Sequence, residues 1–270
     1  MKRLSIAILF FTLHFLYSCN SNDKNTDKQS TASTTKLDSI PQKYLTVAFL
    51  DISGSFNKIQ KQGGFNGKNY FDESCNELLN KIRYDMKVGQ ECLIIKSIQN
   101  ESFQDDALVY KLDLTDNEKF IFNEPKPEDD IKKNRWNQKK SEFDKSASEK
   151  ADIEIDKAVK AIKMFKDLHS NKGSSYTDLV NAFNGVKPQL ESEQFKTYTK
   201  RFIVYSDFRE TRMTDLTKLE IDLDNVSIEG RFVSKNEFET LEGYDKNKAS
   251  WQQILKCHLL VFKSPEESIK

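Results

Sequence analysis

The 270-residue chain reads as an α/β protein: a doubly wound, mostly parallel six-stranded sheet with one antiparallel edge strand and a long helical insertion. Three observations predict it. Short apolar runs of strand length alternate with segments of helical spacing, an order that calls for a mostly parallel sheet with crossover helices. Two of those runs, Tyr44 to Leu50 and Arg201 to Ser206, lead directly into an aspartate, Asp51 and Asp207. A highly charged helical stretch at about 128–169 separates the third strand-like run from the fourth, and it is longer than a crossover requires.

The first residues are not part of that sheet. Lys2-Arg3 precede an apolar run from Leu4 to Leu16, and the small residue Ser18 stands before Cys19, which is the pattern of a signal peptide over 1–18. The run is short for a membrane-spanning helix. Leu16-Tyr17-Ser18-Cys19 resembles a bacterial lipobox, which implies that Cys19 carries lipid. Asn20 rather than Asp follows it, which by analogy with enteric sorting favours the outer membrane of a bacterial cell envelope. Residues 19–43 are rich in Ser, Thr, Asn, Lys, Asp and Gln and hold too little apolar surface to offset the entropy of ordering. They are expected to form a tether of about 80 Å fully extended, or roughly 25–30 Å as a coil.

The domain proper is expected at 44–270. The chain has 42 basic and 42 acidic residues; processing removes Lys2 and Arg3 and no acid, so the mature form is near neutral and nothing in its charge calls for nucleic acid. Cys75, Cys92 and Cys257 are an odd set without close spacing, so buried thiols are expected rather than a disulfide framework.

Element by element, Tyr44 to Leu50 is a strand, and Gly63-Gly64-Phe65-Asn66-Gly67 is a loop. Asp72 to Met86 places Cys75, Leu78, Leu79, Ile82 and Met86 at helical spacing. Glu91 to Ile98 and Ala107 to Leu114 read as two strands whose short link makes them antiparallel. Pro125 and Pro127 break the chain. The charged stretch beyond them shows a stripe of Ala147, Ala151, Ile155, Ala158, Ile162 and Phe165, expected as one long helix or two with a hinge. Thr177-Asp178 opens a helix, Arg201 to Asp207 is the fourth strand and Val226 to Val233 the fifth. A helix around Lys246 to Leu255 and a last strand from Cys257 to Lys263 complete the order.

Asp51-Ile52-Ser53-Gly54-Ser55 alternates three oxygen-bearing side chains, with Gly54 permitting a tight path. In doubly wound sheets of order 3-2-1-4-5-6, strands 1 and 4 are neighbours and ligands gather outside their carboxyl ends. Asp51 and Asp207 then flank one crevice, and the loop ahead of Thr177 reaches it. Hydroxyls backed by carboxylates suit a hard cation, Mg²⁺ above all, with Mn²⁺ or Ca²⁺ as alternatives.

Together these residues resemble the metal-ion-dependent adhesion site (MIDAS) of von Willebrand factor A (VWA) domains. The resemblance implies that Ser53, Ser55 and Thr177 touch the metal, that Asp51 and Asp207 supply the charge around it, and that a protein partner adds a carboxylate. It implies adhesion or assembly by a lipid-anchored protein without catalysis. Two departures stand out: Phe208 follows the strand-four acid where the family often has Gly, and Ser174-Ser175-Tyr176 precede Thr177 where it often has Gly-Gly. Phe56 and Phe208 either line the mouth of the site or pack inward. The alternatives are a metal-independent scaffold with a degenerate site, binding through the helical insertion, and, with less support, a hydrolase. Against the last, the position two residues after Asp51 is Ser53 rather than a second acid, and no Gly-rich phosphate loop or Gly-x-Ser-x-Gly elbow is present. His169 and His258 read as structural.

Overall fold

A computed structural model describes residues 42–58, 67–86, 89–99, 108–111, 122–126, 128–170, 173–209, 219–234 and 241–269. The expected signal peptide, Cys19 and the tether as far as residue 41 lie outside the described residues. Among the described residues no helix is long and apolar enough to cross a membrane.

Six strands form one sheet: β1 Tyr44–Asp51, β2 Glu91–Ile98, β3 Leu108–Lys111, β4 Thr199–Tyr205, β5 Val226–Arg231 and β6 Leu259–Phe262. Their order is β3-β2-β1-β4-β5-β6. All neighbours are parallel except β2 and β3, which pair antiparallel at the edge. This is the doubly wound, Rossmann-like arrangement expected from the sequence. In register, Leu50 of β1 stands beside Tyr205 of β4, so the segments beyond both strands leave the carboxyl edge side by side.

Helices cover both faces: α1 Tyr70–Asn80, continued by one π-helical turn Lys81–Asp85, α2 Asp130–His169, α3 Leu179–Asn184, α4 Lys187–Leu190, α5 Leu241–Leu255 and α6 Pro265–Ser268. β1 alternates between the two layers because successive side chains point to opposite faces. Leu45, Val47 and Phe49 join α3, α4 and α5, while Ala48 and Leu50 join α1 and α2. On the first face the rings of Phe49, Phe183 and Phe202 meet within 5.0–5.9 Å. On the second, Phe71 of α1 meets Phe165 of α2 at 6.0 Å.

The charged stretch is one continuous helix, capped at its start by Asp129, whose side chain accepts from the Lys132 amide. The expected apolar stripe is only partly used. Ala158, Val159 and Ile162 are buried and Ile155 and Phe165 pack beside them, but Ala147 and Ala151 stay half-buried. The reason is length: an eight-residue strand rises about 26 Å, whereas α2 spans roughly 60 Å. All three cysteines are free thiols, with Cys75 and Cys92 buried and Cys257 half-buried. Cys257 precedes β6 rather than lying within it.

Candidate metal centre

The carboxyl ends of β1 and β4 bring Asp51, Ser53, Ser55 and Asp207 of the sequence-predicted residues together, and the loop that leads to Thr177 is bridged to Ser53. Asp51 closes β1 fully buried, and its Oδ1 accepts from the Ser53 backbone N–H at 2.8 Å. This Asx-type turn reverses the chain immediately after the strand. The Ser53 carbonyl then accepts from the amides of Phe56 and Asn57 at 3.1 and 2.8 Å. The tight path sets the Ser53 and Ser55 hydroxyl oxygens 3.2 Å apart.

The loop before Thr177 is zipped to this turn. Gly54 N–H donates to the Ser174 carbonyl at 2.7 Å and Ser174 N–H to the Ile52 carbonyl at 2.8 Å, a parallel bridge between Ser53 and Ser174. A Cβ on Gly173 would sit 3.1 Å from the Gly54 Cα and 3.4 Å from its nitrogen, so a glycine permits this approach even though Ser174-Ser175-Tyr176 fill the next positions. Thr177 is fully buried at the end of the loop. The cap of α3 is Asp178 rather than Thr177: its side chain accepts from the Asn181 N–H at 3.2 Å and from the Asn181 Nδ2 at 2.8 Å. Thr177 is therefore not the residue that caps α3, which is the role a purely structural account of the motif gives it.

Asp207 lies two residues past β4 and is 2 % exposed. Its Oδ1 accepts from the Arg209 N–H at 3.0 Å, and its carboxylate is also hydrogen-bonded by the Ser55 side chain. Ser206 is a site residue that motif matching passes over. Its hydroxyl donates to Asp51 Oδ2 at 2.7 Å and accepts from the Phe208 N–H at 3.1 Å, tying the two strand ends together. The only signal in the sequence is a hydroxyl residue directly before the strand-four acid.

The glycine expected after Asp207 is replaced at a conformational cost. Phe208 has φ 58°, in the left-handed region, which costs a non-glycine residue on the order of 1–3 kcal/mol. Its ring is buried against Trp251 and Phe262, at centroid distances of 5.8 and 4.7 Å, and its carbonyl accepts from Trp251 Nε1 at 3.0 Å. Burial of a whole aromatic side chain outweighs that strain. Phe56 also packs inward, against Tyr70 and Phe232. Neither ring lines the mouth of the site.

Electrostatics sets the character of the cluster. Burial pushes the Asp51 carboxyl up from its ordinary 3.8 to about 7, and the charge of Asp207 adds to the rise, against hydrogen bonds from Ser206 and Ser53. Burial raises Asp207 as well, opposed by its bond to the Arg209 backbone and by the charges of Arg209 and Lys58. Two adjoining buried carboxylates favour holding a proton or a cation between them. Among the described residues no group of three or more His, Cys, Asp or Glu side chains gathers to hold a metal ion, here or elsewhere. The donor set is hydroxyl and carboxylate oxygen, which suits a hard divalent ion.

No family model matches the chain, and no curated protein matches it. Solved structures of proximal thread matrix protein 1 from the mussel byssus do superpose on it. Crystal form 2 matches with TM-score 0.44 and 12 % identity over 84 % of this chain and 46 % of that one. A second structure, described as having a zinc occupied MIDAS motif, matches with TM-score 0.41 and 13 % identity over 84 % and 44 %. The chain thus spans less than half the length of those proteins. Superpositions this loose carry no weight for the site; strand order and side-chain geometry do.

Proposed function

We propose that this protein is a lipid-anchored cell-envelope protein, held by Cys19, whose VWA-like domain binds a protein partner through a divalent cation in an adhesion or assembly role without catalysis. One observation carries the metal reading: Asp51 and Asp207 are buried together at the carboxyl ends of adjacent strands, within one hydrogen-bonded cluster with Ser53, Ser55 and Ser206. Ser53, Ser55 and Thr177 would hold the ion through hydroxyl oxygens, with Asp51 and Asp207 supplying charge. Mg²⁺ is the expected ion, with Mn²⁺ or Ca²⁺ as alternatives.

Bound there, the cation supplies a Lewis-acidic site for a carboxylate of the partner. The chain's own part is preorganisation. Ser206 and the Ser53 amide fix both oxygens of Asp51, the Arg209 amide fixes Asp207, and the Gly54–Ser174 bridge holds the Thr177 loop against the strand end. Fixed donors of this kind lower the cost of ordering the site when it fills. Charge-assisted contact with a partner carboxylate would give specificity even in a modest interface. A metal-independent scaffold that binds through α2 is the second reading, favoured by the exposure of that helix over most of its N-terminal half.

The test is a thermal-shift titration of residues 40–270, a compact unit that carries both core clusters, with Mg²⁺ and Mn²⁺. At ten times the dissociation constant the expected stabilisation is about 1.4 kcal/mol, a rise of roughly 2–4 °C. Asp207→Ala should abolish the rise while the domain still melts cooperatively. An identical response in wild type and variant, or no response in either with partner capture insensitive to chelator, leaves the scaffold as the surviving reading.

A further inference from the structure

Helix α2 runs far past the body it packs against. Phe165 meets Phe71, Lys166 pairs with Asp72 at 3.6 Å, and the His169 carbonyl accepts from Asn57 Nδ2 at 2.7 Å. Phe71 and Asp72 lie in the first turn of α1, so the C-terminal end of α2 is at the carboxyl edge of the sheet. The helix therefore leaves the opposite edge, where β1 begins at Tyr44. Among the described residues, the first apolar side chain of α2 packed against the core is Ile155, and the helix ahead of it measures roughly 37 Å at 1.5 Å per residue.

That arm has two unlike faces. At about 100° per residue, Lys132, Lys133, Arg135, Lys139 and Lys140 fall within an arc of roughly 160°, and all five are exposed. Trp136 and Phe143 lie near the middle of the same arc. Asn134, Asn137, Gln138 and Ser141 occupy the far side. Cations and rings are interleaved: Lys139 Nζ sits 4.4 Å from the Phe122 centroid, and Lys140 Nζ sits 5.1 Å from that of Trp136. Phe122 is 51 % exposed, and its carbonyl accepts from Trp136 Nε1 at 3.0 Å. The neighbouring acids are Glu128, Asp129, Asp130, Glu142 and Asp144. Glu128 precedes the helix, Asp129 pairs with Lys132 at 2.7 Å, and Asp130, Glu142 and Asp144 fall outside the cationic arc or at its margin. The arm is thus segregated by face rather than strongly charged overall.

We propose that this basic, aromatic face of α2, Lys132 to Phe143, docks on an anionic phospholipid surface. The ammonium and guanidinium groups would meet headgroup phosphates while the aromatic rings enter the boundary below them, the division of labour of interfacial helices. Nucleic acid would attract the same cations, but the placement of the arm favours a bilayer. It leaves the body at the edge where the described chain enters at Gln42, the edge that faces the membrane on the proposed anchoring at Cys19, on which this choice rests, and it would turn the candidate metal centre, at the other edge, away from the membrane. The inference is independent of metal binding.

The experiment is sedimentation of residues 40–270 with vesicles of phosphatidylcholine, with and without phosphatidylglycerol, read also by tryptophan emission. The chain has two tryptophans; Trp251 is 3 % exposed, so an emission shift reports on Trp136. A blue shift and partitioning are expected only with phosphatidylglycerol, weakened by salt and unchanged by chelator. Lys139→Gln with Lys140→Gln should reduce partitioning about 30-fold, while Lys196→Gln with Lys246→Gln, exposed lysines elsewhere, should leave it unchanged. Equal partitioning onto neutral vesicles, an equal loss in the control pair, or capture by single-stranded DNA without vesicle binding would overturn the proposal.

Discussion

Replacing Asp51 with Asn should stabilise the metal-free domain at pH 8 and slightly destabilise it at pH 4. In the native state the Asp51 carboxyl titrates near 7 instead of 3.8, so between those values the folded chain holds a proton that the unfolded chain has released. Stability is then fully present below the unfolded value and falls as pH rises through the folded one. Roughly three units at 1.36 kcal/mol each give a loss of about 4 kcal/mol above pH 7, and Asp207 adds to it with the same sign because its carboxyl is also raised. Asn carries no charge and keeps the acceptor for the Ser53 amide. Its NH₂ replaces the oxygen that accepts from Ser206, a lost hydrogen bond costing about 1 kcal/mol. The expected net is a gain of about 3 kcal/mol at pH 8 and a loss of about 1 at pH 4. The gain corresponds to about 1 M in the urea midpoint for an m near 3 kcal/mol/M. Urea melts of wild type and Asp51→Asn with chelator at both pH values supply the measurement. Taking the difference between the two proteins cancels other titrating groups, such as Glu77, which burial raises, and Glu229, which Arg231 and Lys263 lower. Parallel pH profiles, or a variant less stable than wild type at pH 8, would refute the account of an Asp51 carboxyl raised by burial and by the charge of Asp207. Added Mg²⁺ should restore stability to the wild type at pH 8 and do little for the variant.

Two further outcomes are expected. Gly173→Ala places a Cβ 3.1 Å from the Gly54 Cα, which should push the Thr177 loop off the strand end and weaken the Mg²⁺ response in a thermal-shift titration several-fold, with under about 1.5 kcal/mol lost in a urea melt. Arg231→Ala removes the guanidinium that pairs with Glu77 and Glu229 and donates to the Ser268 carbonyl at 3.0 Å; leaving the buried Glu77 with Lys81 at 3.6 Å as its cation and the Tyr205 hydroxyl as a donor should cost about 3–5 kcal/mol, seen as a lowered urea midpoint, and weaken the hold on α6, which keeps the Phe232 N–H bond to the Ser268 hydroxyl at 3.0 Å.

The fold was largely legible because its signals are local. β2 has the boundaries its apolar run predicts, Glu91 to Ile98, and the short link to β3 gives the antiparallel edge. Helix starts were less legible. Apolar spacing begins the first helix near Asp72, whereas it starts two residues earlier at Tyr70, capped by Asn69, whose side chain accepts from the Asp72 amide at 2.5 Å. Spacing likewise shows that a stripe along α2 is apolar, but how much of it finds a core depends on the height of the sheet beside it, which no window of sequence contains. At the site, Asp51, Ser53 and Ser55 were visible as one short motif. Ser206 was visible beside Asp207, but its role was not, because that role is a hydrogen bond to Asp51, 155 residues away in sequence.

By itself the sequence determined the order and type of the elements and the oxygen chemistry of Asp51, Ser53, Ser55, Thr177 and Asp207, because periodicity and side-chain identity act within a few residues. Only the tertiary structure decided that Gly173 abuts Gly54, that Asp178 rather than Thr177 caps α3, that Phe208 takes a left-handed backbone to bury its ring, and that the charge of Asp207 raises the proton affinity of the buried Asp51. Each of those depends on distances between segments brought together by the parallel pairing of β1 with β4, and burial and Coulomb energies follow such distances, not position along the chain.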